Sequence, residues 1–211
     1  MKPVLYDYWR SSASYRVRIA LALKGIDYDR VPVDLLEGGP RGGDYLARNP
    51  QGLVPMLEAD GERFTQSMPI IGWLDRLVPE PPLTPPGSSD RARVLAMALI
   101  IVADIHPLNN LRVLQHLKLL GLDQQARDDW IRHWIAEGFG ALEALAAPRA
   151  GRHLYGDSVT VADICLVPQM YNARRFDLPL EPYPTLVRID AEANRLEAFA
   201  AAHPDAIAGA A

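Results

Sequence analysis

The chain has 211 residues, 49% of them apolar and 23% charged, with a net charge of −4; that length holds one large domain or two small ones around a real core. Cut at residue 80, the first part carries 10 basic and 11 acidic groups and the rest 12 and 15, so neither half has the positive excess of a nucleic-acid binder. The longest wholly apolar run, Val94–Ala103, is too short for a membrane span, no secretory signal is read at the start, and the single Cys165 excludes an internal disulfide framework and a zinc site of several thiolates; a cytoplasmic protein is expected.

Val4–Tyr8 reads as a short strand. Tyr15–Lys24 reads as a helix, with Val17, Ile19, Ala20, Leu21 and Leu23 apolar and Gly25 as its stop. Asp29–Leu35 is a second strand, Val31, Val33 and Leu35 alternating, and Gly38–Gly43 is a loop. Val54–Glu58 is a strand entered through a Val-Pro step. Asp60-Gly61 is a hairpin signal before a strand at Glu62–Thr65, and Gln66-Ser67 opens a helix containing Ile70, Ile71, Trp73, Leu74 and Leu77. The order β-α-β, then β-β-α, predicts an α/β domain of thioredoxin type over residues 1–80.

Residues 79–89 hold five prolines in eleven positions. Proline lacks an amide donor and stops helices, so 81–89 is assigned as a linker and 90–211 as an all-helical domain. Its predicted helices are Arg91–Ile105, apolar nearly all round like a buried helix, Leu111–Leu119 after a break at Pro107, Gln124–Leu145, a helix from Ile164 opened by the capping box Thr160–Asp163, and Leu186–Ala202.

Three segments carry chemistry, all at one end of the predicted sheet. Trp9-Arg10-Ser11-Ser12-Ala13-Ser14-Tyr15-Arg16 lies between the first strand and the first helix, where unpaired helix amides and hydroxyls stabilise an anion such as a thiolate; the plainer alternative is a serine cap. Val54-Pro55 has the composition of a cis step, whose neighbouring backbone groups could pair with an extended peptide, or of a simple turn. Gln66-Ser67 suits a carboxylate or a cap. His116, His133, His153 and His203 lack metal-ligand spacing, and no metal is expected. Cys165 reads as a buried small hydrophobe, Asp163 as half of its capping box, and Tyr15 as core.

The runs SSASYRVRIALALKGIDY, RNPQGLVPMLE, FTQSMPII, IHPLNNLRVLQHL, GDSVTVADICLVPQMYNARRF and PYPTL together resemble the zeta class of glutathione transferases, and most closely its maleylacetoacetate and maleylpyruvate isomerases. The resemblance spans roughly residues 3 to 204. It implies a thioredoxin-like N-terminal domain, an all-helical C-terminal domain and a homodimer. It implies glutathione held by Gln51, Val54, Pro55, Gln66 and Ser67, with His106 and Asn110 lining the same site. The sulfur would lie near Ser11 and Ser12, Ser11 being the better candidate of the two. Arg10, Arg112 and Arg175 fall where similar isomerases gather charge around an unsaturated dicarboxylate, and guanidinium groups suit carboxylates and developing oxyanions.

One position departs from the family pattern: Ala13 stands where relatives carry Cys or Thr. The reaction implied is glutathione-dependent cis-trans isomerisation of maleylacetoacetate or maleylpyruvate to the fumaryl product, by thiolate addition, bond rotation and elimination. Two alternatives keep the fold: a transferase or dehalogenase acting on α-halo acids and other electrophiles, and a binding module without turnover.

Overall fold

The computed structural model describes residues 2–33 and 43–208. Strand β1 (Val4–Asp7) buries every second residue, Leu5 and Asp7, as the two-residue period of a strand requires. Helix α1 (Ser12–Leu23) returns the chain so that β2 (Asp29–Pro32) pairs parallel to β1, with Leu5 opposite Arg30. After α2 (Gly43–Arg48), β3 (Met56–Ala59) runs antiparallel to β1 with Leu57 opposite Leu5. Asp60 and Gly61, both at positive φ, turn the chain into β4 (Glu62–Thr65). The sheet order is β2-β1-β3-β4, and α3 (Ser67–Leu77) follows. This is the thioredoxin-like arrangement that the element order predicts.

Local differences have local causes. β2 is an edge strand, so Val31 is exposed although Val33 is buried. Asp34 and Leu35, and the predicted loop except Gly43, lie outside the described residues; Gly43 itself starts α2, an element that carries no long apolar period. α1 is buried on nearly every side, and Arg16 and Arg18, which the pattern would leave in water, are each 1% exposed.

The helical unit contains α4 (Ser88–Leu99), a π-helix (Ile100–Ile105), α5 (Leu111–Leu119), α6 (Gln124–Ala146), α7 (Val161–Arg175) and α8 (Pro184–Ala193). The predicted helix Arg91–Ile105 is therefore continued by one wider turn of π type. Gly138 of α6 faces it so closely that a Cβ there would meet the Ile105 side chain at 2.3 Å. α7 is the core helix, buried from Val161 to Met170, with Cys165 inside. Its capping box is formed as predicted: the Thr160 amide donates to Asp163 Oδ2 at 2.8 Å, and the Ala162 amide donates to Thr160 Oγ1 at 3.3 Å.

The predicted last helix, Leu186–Ala202, is broken between Ala193 and Glu197 into α8 and α9 (Glu197–Ala202), with α10 (Pro204–Ala208) beyond. Residues up to Pro82 together with those from Leu196 form one compact unit, and Leu83–Arg195 form the other. Residues 196–208 thus pack with the sheet unit, whereas the sequence groups them with 90–211. Side chains of α1 hold them there: Tyr15 OH donates to the Phe199 carbonyl at 3.4 Å, and Arg18 Nε to the Ala202 carbonyl at 3.0 Å. The second unit begins inside the proline-rich segment, because Leu83 is buried and its carbonyl accepts from the Val161 amide at 2.8 Å. Among the described residues no helix is long and apolar enough to cross a membrane.

Candidate active site

Ser11 is the N-cap of α1. Its Oγ accepts from the Ser14 amide at 3.2 Å, its carbonyl accepts from the Tyr15 amide at 2.9 Å, and its own amide donates to the Tyr8 carbonyl at 2.9 Å. Capping does not exhaust the side chain, because a hydroxyl that accepts one hydrogen bond still has its proton to donate. The amides of Ser12 and Ala13 stand at the start of the helix, whose dipole favours negative charge. Ser11 is partly exposed, whereas Ser12 is 9% exposed. Beside them the Arg10 guanidinium lies 4.3 Å over the Trp9 ring. Stacking of this kind uses none of the guanidinium N–H donors.

The other two segments of the sheet unit are tied to each other. Gln66 Nε2 donates to Gln51 Oε1 at 2.6 Å, which brings the loop before β3 to the start of α3. The loop is held from within. Asn49 Nδ2 and Tyr45 OH both donate to the Leu53 carbonyl, at 2.6 and 2.8 Å, and Asn49 Oδ1 accepts from the Gln51 amide at 3.2 Å. Burial pushes the Tyr45 phenol above its ordinary pKa, so it stays a donor. The Val54–Pro55 peptide that follows is cis. Gln66 has φ 69° and ψ 129°, a left-handed backbone that a non-glycine residue adopts only under constraint, and such residues cluster at ligand clamps. Ser67, 4% exposed, accepts from Arg16 Nη1 at 3.4 Å. With a guanidinium on its lone pair, the Ser67 hydroxyl is left to act as a donor.

The helical unit carries the remaining sequence candidates. His106 ends the π-helix, its amide donating to the Ile101 carbonyl at 2.9 Å. Asn110 is the N-cap of α5, its Oδ1 accepting from the Arg112 amide at 3.2 Å. Arg112 is exposed in the first turn of that helix. Arg175 closes α7, exposed, with its guanidinium 5.0 Å from the Phe176 ring centre. Among the described residues no group of three His, Cys, Asp or Glu could hold a metal ion.

Asn49 and Tyr45 are absent from the sequence candidates, and Arg16 closes the first candidate segment with no role assigned to it. Their partners, Ser67 for Arg16 and the Leu53 carbonyl for the other two, are set by the fold. The one signal for Arg16 was a pair of arginines, at 16 and 18, inside an otherwise apolar helix.

The model of the N-terminal domain of glutathione S-transferases matches residues 10–77. A maleylacetoacetate isomerase of Rhizobium meliloti strain 1021 is 50% identical over 204 residues, covering 96% of each chain. The chain belongs to the maleylacetoacetate isomerase family of zeta-class glutathione transferases. Solved structures agree with this family enzyme over most of its length. The holo structure of a maleylpyruvate isomerase, a bacterial zeta-class transferase, has a TM-score of 0.94 at 45% identity, with 96% of this chain and 97% of that one covered. A maleylacetoacetate isomerase of Anaeromyxobacter dehalogenans 2CP-1, solved with dicarboxyethyl glutathione and citrate in its active site, has a TM-score of 0.87 at 46% identity, covering 97% and 95%.

The donor set of the zeta-class chain fits glutathione chemically. Ser11 and the start of α1 carry donors of a kind that suits a thiolate, and Ser67 with the start of α3 carries donors that suit a carboxylate.

Proposed function

We propose that the enzyme is a glutathione-dependent cis-trans isomerase of maleylacetoacetate or maleylpyruvate. The observation that carries this reading is Ser11 at the N-cap of α1, in an enzyme 50% identical to a maleylacetoacetate isomerase. When bound, glutathione supplies a thiolate able to act both as nucleophile and as leaving group at a cis double bond conjugated to a ketone. Ser11 donates its hydroxyl proton towards the sulfur, and the dipole of α1 favours the thiolate over the thiol. Gln51, Gln66 and Ser67 fix the peptide's charged end, while the backbone at Val54 and Pro55 aligns its middle. In the helical unit, His106 and Asn110 are assigned to the same cofactor.

Arg10 is assigned to a substrate carboxylate and to the ketone oxygen as that oxygen gains negative charge. Arg112 and Arg175 are assigned as further carboxylate ligands. The molecule is read as a homodimer on its resemblance to the family, which sedimentation at twice the chain mass would check.

Ala13 favours one second reading. Without the thiol or hydroxyl that relatives carry there, the same thiolate could serve displacement of halide from an α-halo acid. The stoichiometry of glutathione separates the two. An isomerase returns it, so glutathione at one-hundredth of the substrate concentration converts all of the substrate to the fumaryl isomer. Conversion that stops after one equivalent, with a thioether accumulating, rejects the isomerase.

A further inference from the structure

Arg18 is built into the sheet unit with all three guanidinium nitrogens engaged. Nη1 donates to both oxygens of Asp7 at 2.8 and 2.9 Å, Nη2 to the Trp9 carbonyl at 3.0 Å, and Nε to the Ala202 carbonyl at 3.0 Å. The side chains of Arg18 and Asp7 are both fully buried. A buried ion pair is poor value as a stabiliser, since apolar residues of the same volume often do as well or better. What apolar residues cannot do is hold two carbonyls from separate segments in one plane.

Those carbonyls are informative. The Trp9 carbonyl belongs to the peptide that leads into Arg10, one residue before the Ser11 cap. The Ala202 carbonyl ends α9, near the far end of the sequence. Two more links run from the sheet unit to the same segment: Tyr15 OH to the Phe199 carbonyl at 3.4 Å, and Arg30 Nη1 to the Ile207 carbonyl at 3.2 Å. The Tyr15 ring also meets His203 edge-on, with centroids 5.9 Å apart.

We infer that Arg18 is a positioning residue: it holds the Trp9–Ser11 turn in its anion-binding geometry and couples that geometry to the C-terminal segment 197–208. The inference rests on the reading of Ser11 as the partner of the thiolate. Lysine in its place keeps a charge for Asp7 but lacks the planar fork that reaches both carbonyls.

The test uses Arg18→Lys in the full-length protein, at a temperature where melting curves show it folded. Amide hydrogen exchange in the absence of ligand should rise about ten-fold or more in both 8–15 and 197–208, with 83–195 unchanged. In the presence of glutathione the thiolate fraction read by ultraviolet absorbance should fall roughly three-fold at fixed pH. Exchange in 8–15 equal to wild type, or a uniform rise across the whole chain, overturns the inference. A wild type with no depressed thiol pKa rejects the reading of Ser11, and the exchange result then still decides the role of Arg18. If Arg18→Lys does not fold, the double variant Asp7→Leu with Arg18→Met removes the charges together and should give the same paired rise in exchange; 8–15 protected as in wild type would overturn the inference.

Discussion

Ser11 has two tasks that one substitution separates. As the cap of α1 its Oγ meets the Ser14 amide, and losing such a cap costs about 1 kcal/mol. As the proposed partner of the thiolate it also sets the thiol pKa. Ser11→Ala should lower the melting temperature slightly, raise the pKa of bound glutathione and slow turnover, while Ser12→Ala does less. A stability loss with thiol pKa and rate unchanged would leave Ser11 a cap only. Arg175 answers a different question. If it binds a carboxylate of the substrate, Arg175→Ala removes a charge-assisted hydrogen bond worth roughly 1.5–3 kcal/mol, on the order of 10- to 100-fold in KM for the dicarboxylate. Glutathione affinity, measured by calorimetry, should hold. The reverse pattern would reject its assignment.

Helix α7 and the π-helix show how single contacts fix whole elements. Asp163 accepts from the Leu154 and Thr160 amides, each at 2.8 Å, with His153 Nδ1 3.7 Å away. Burial nevertheless dominates and pushes its pKa above the ordinary 3.8. The folded state therefore binds the proton more tightly than the unfolded chain, so the contribution of Asp163 to stability is greatest below 3.8 and falls as pH rises towards the raised value. Urea titrations of wild type and Asp163→Asn should show wild type losing ground to the variant across that window; a wild-type advantage that grows with pH contradicts the sign. At Gly138 a methyl would meet the Ile105 side chain at 2.3 Å. Gly138→Ala should cost about 1–3 kcal/mol, as overpacking does, and Ile105→Ala in the same chain should recover part of it. A neutral Gly138→Ala would show that the π-helix yields without cost. The sequence carries no sign of that turn: Val94–Ala103 is simply apolar, and the width of a helix is decided by what packs on it.

The two units were legible to different degrees, for physical reasons. The β-α-β and β-β-α order is written in local signals, namely strand alternation, Gly25 and Asp60-Gly61, and the fold follows from it. Ser11, Gln66 and Ser67 could be found because they sit at strand-to-helix junctions. The placement of 196–208 with the sheet unit could not, because it depends on Tyr15 and Arg18 bonding to backbone 184 residues away. Arg16 and Asn49 stand inside the runs SSASYRVRIAL and RNPQGLVPMLE, yet their roles were not legible there, because the partners, the Ser67 hydroxyl and the Leu53 carbonyl, are supplied by folding. The family enzyme that results places Ser11, Gln66, Ser67 and Asn110 at the starts of helices, where hydrogen-bonded backbone pre-organises their donors. The most direct measurement is the loss of the cis-enedione absorbance of maleylacetoacetate and of maleylpyruvate, with and without glutathione, with the products identified. Conversion to the fumaryl isomer that requires glutathione is the predicted result, and the faster substrate names the reaction. No conversion of either, in a protein that demonstrably binds glutathione, would contradict the isomerase.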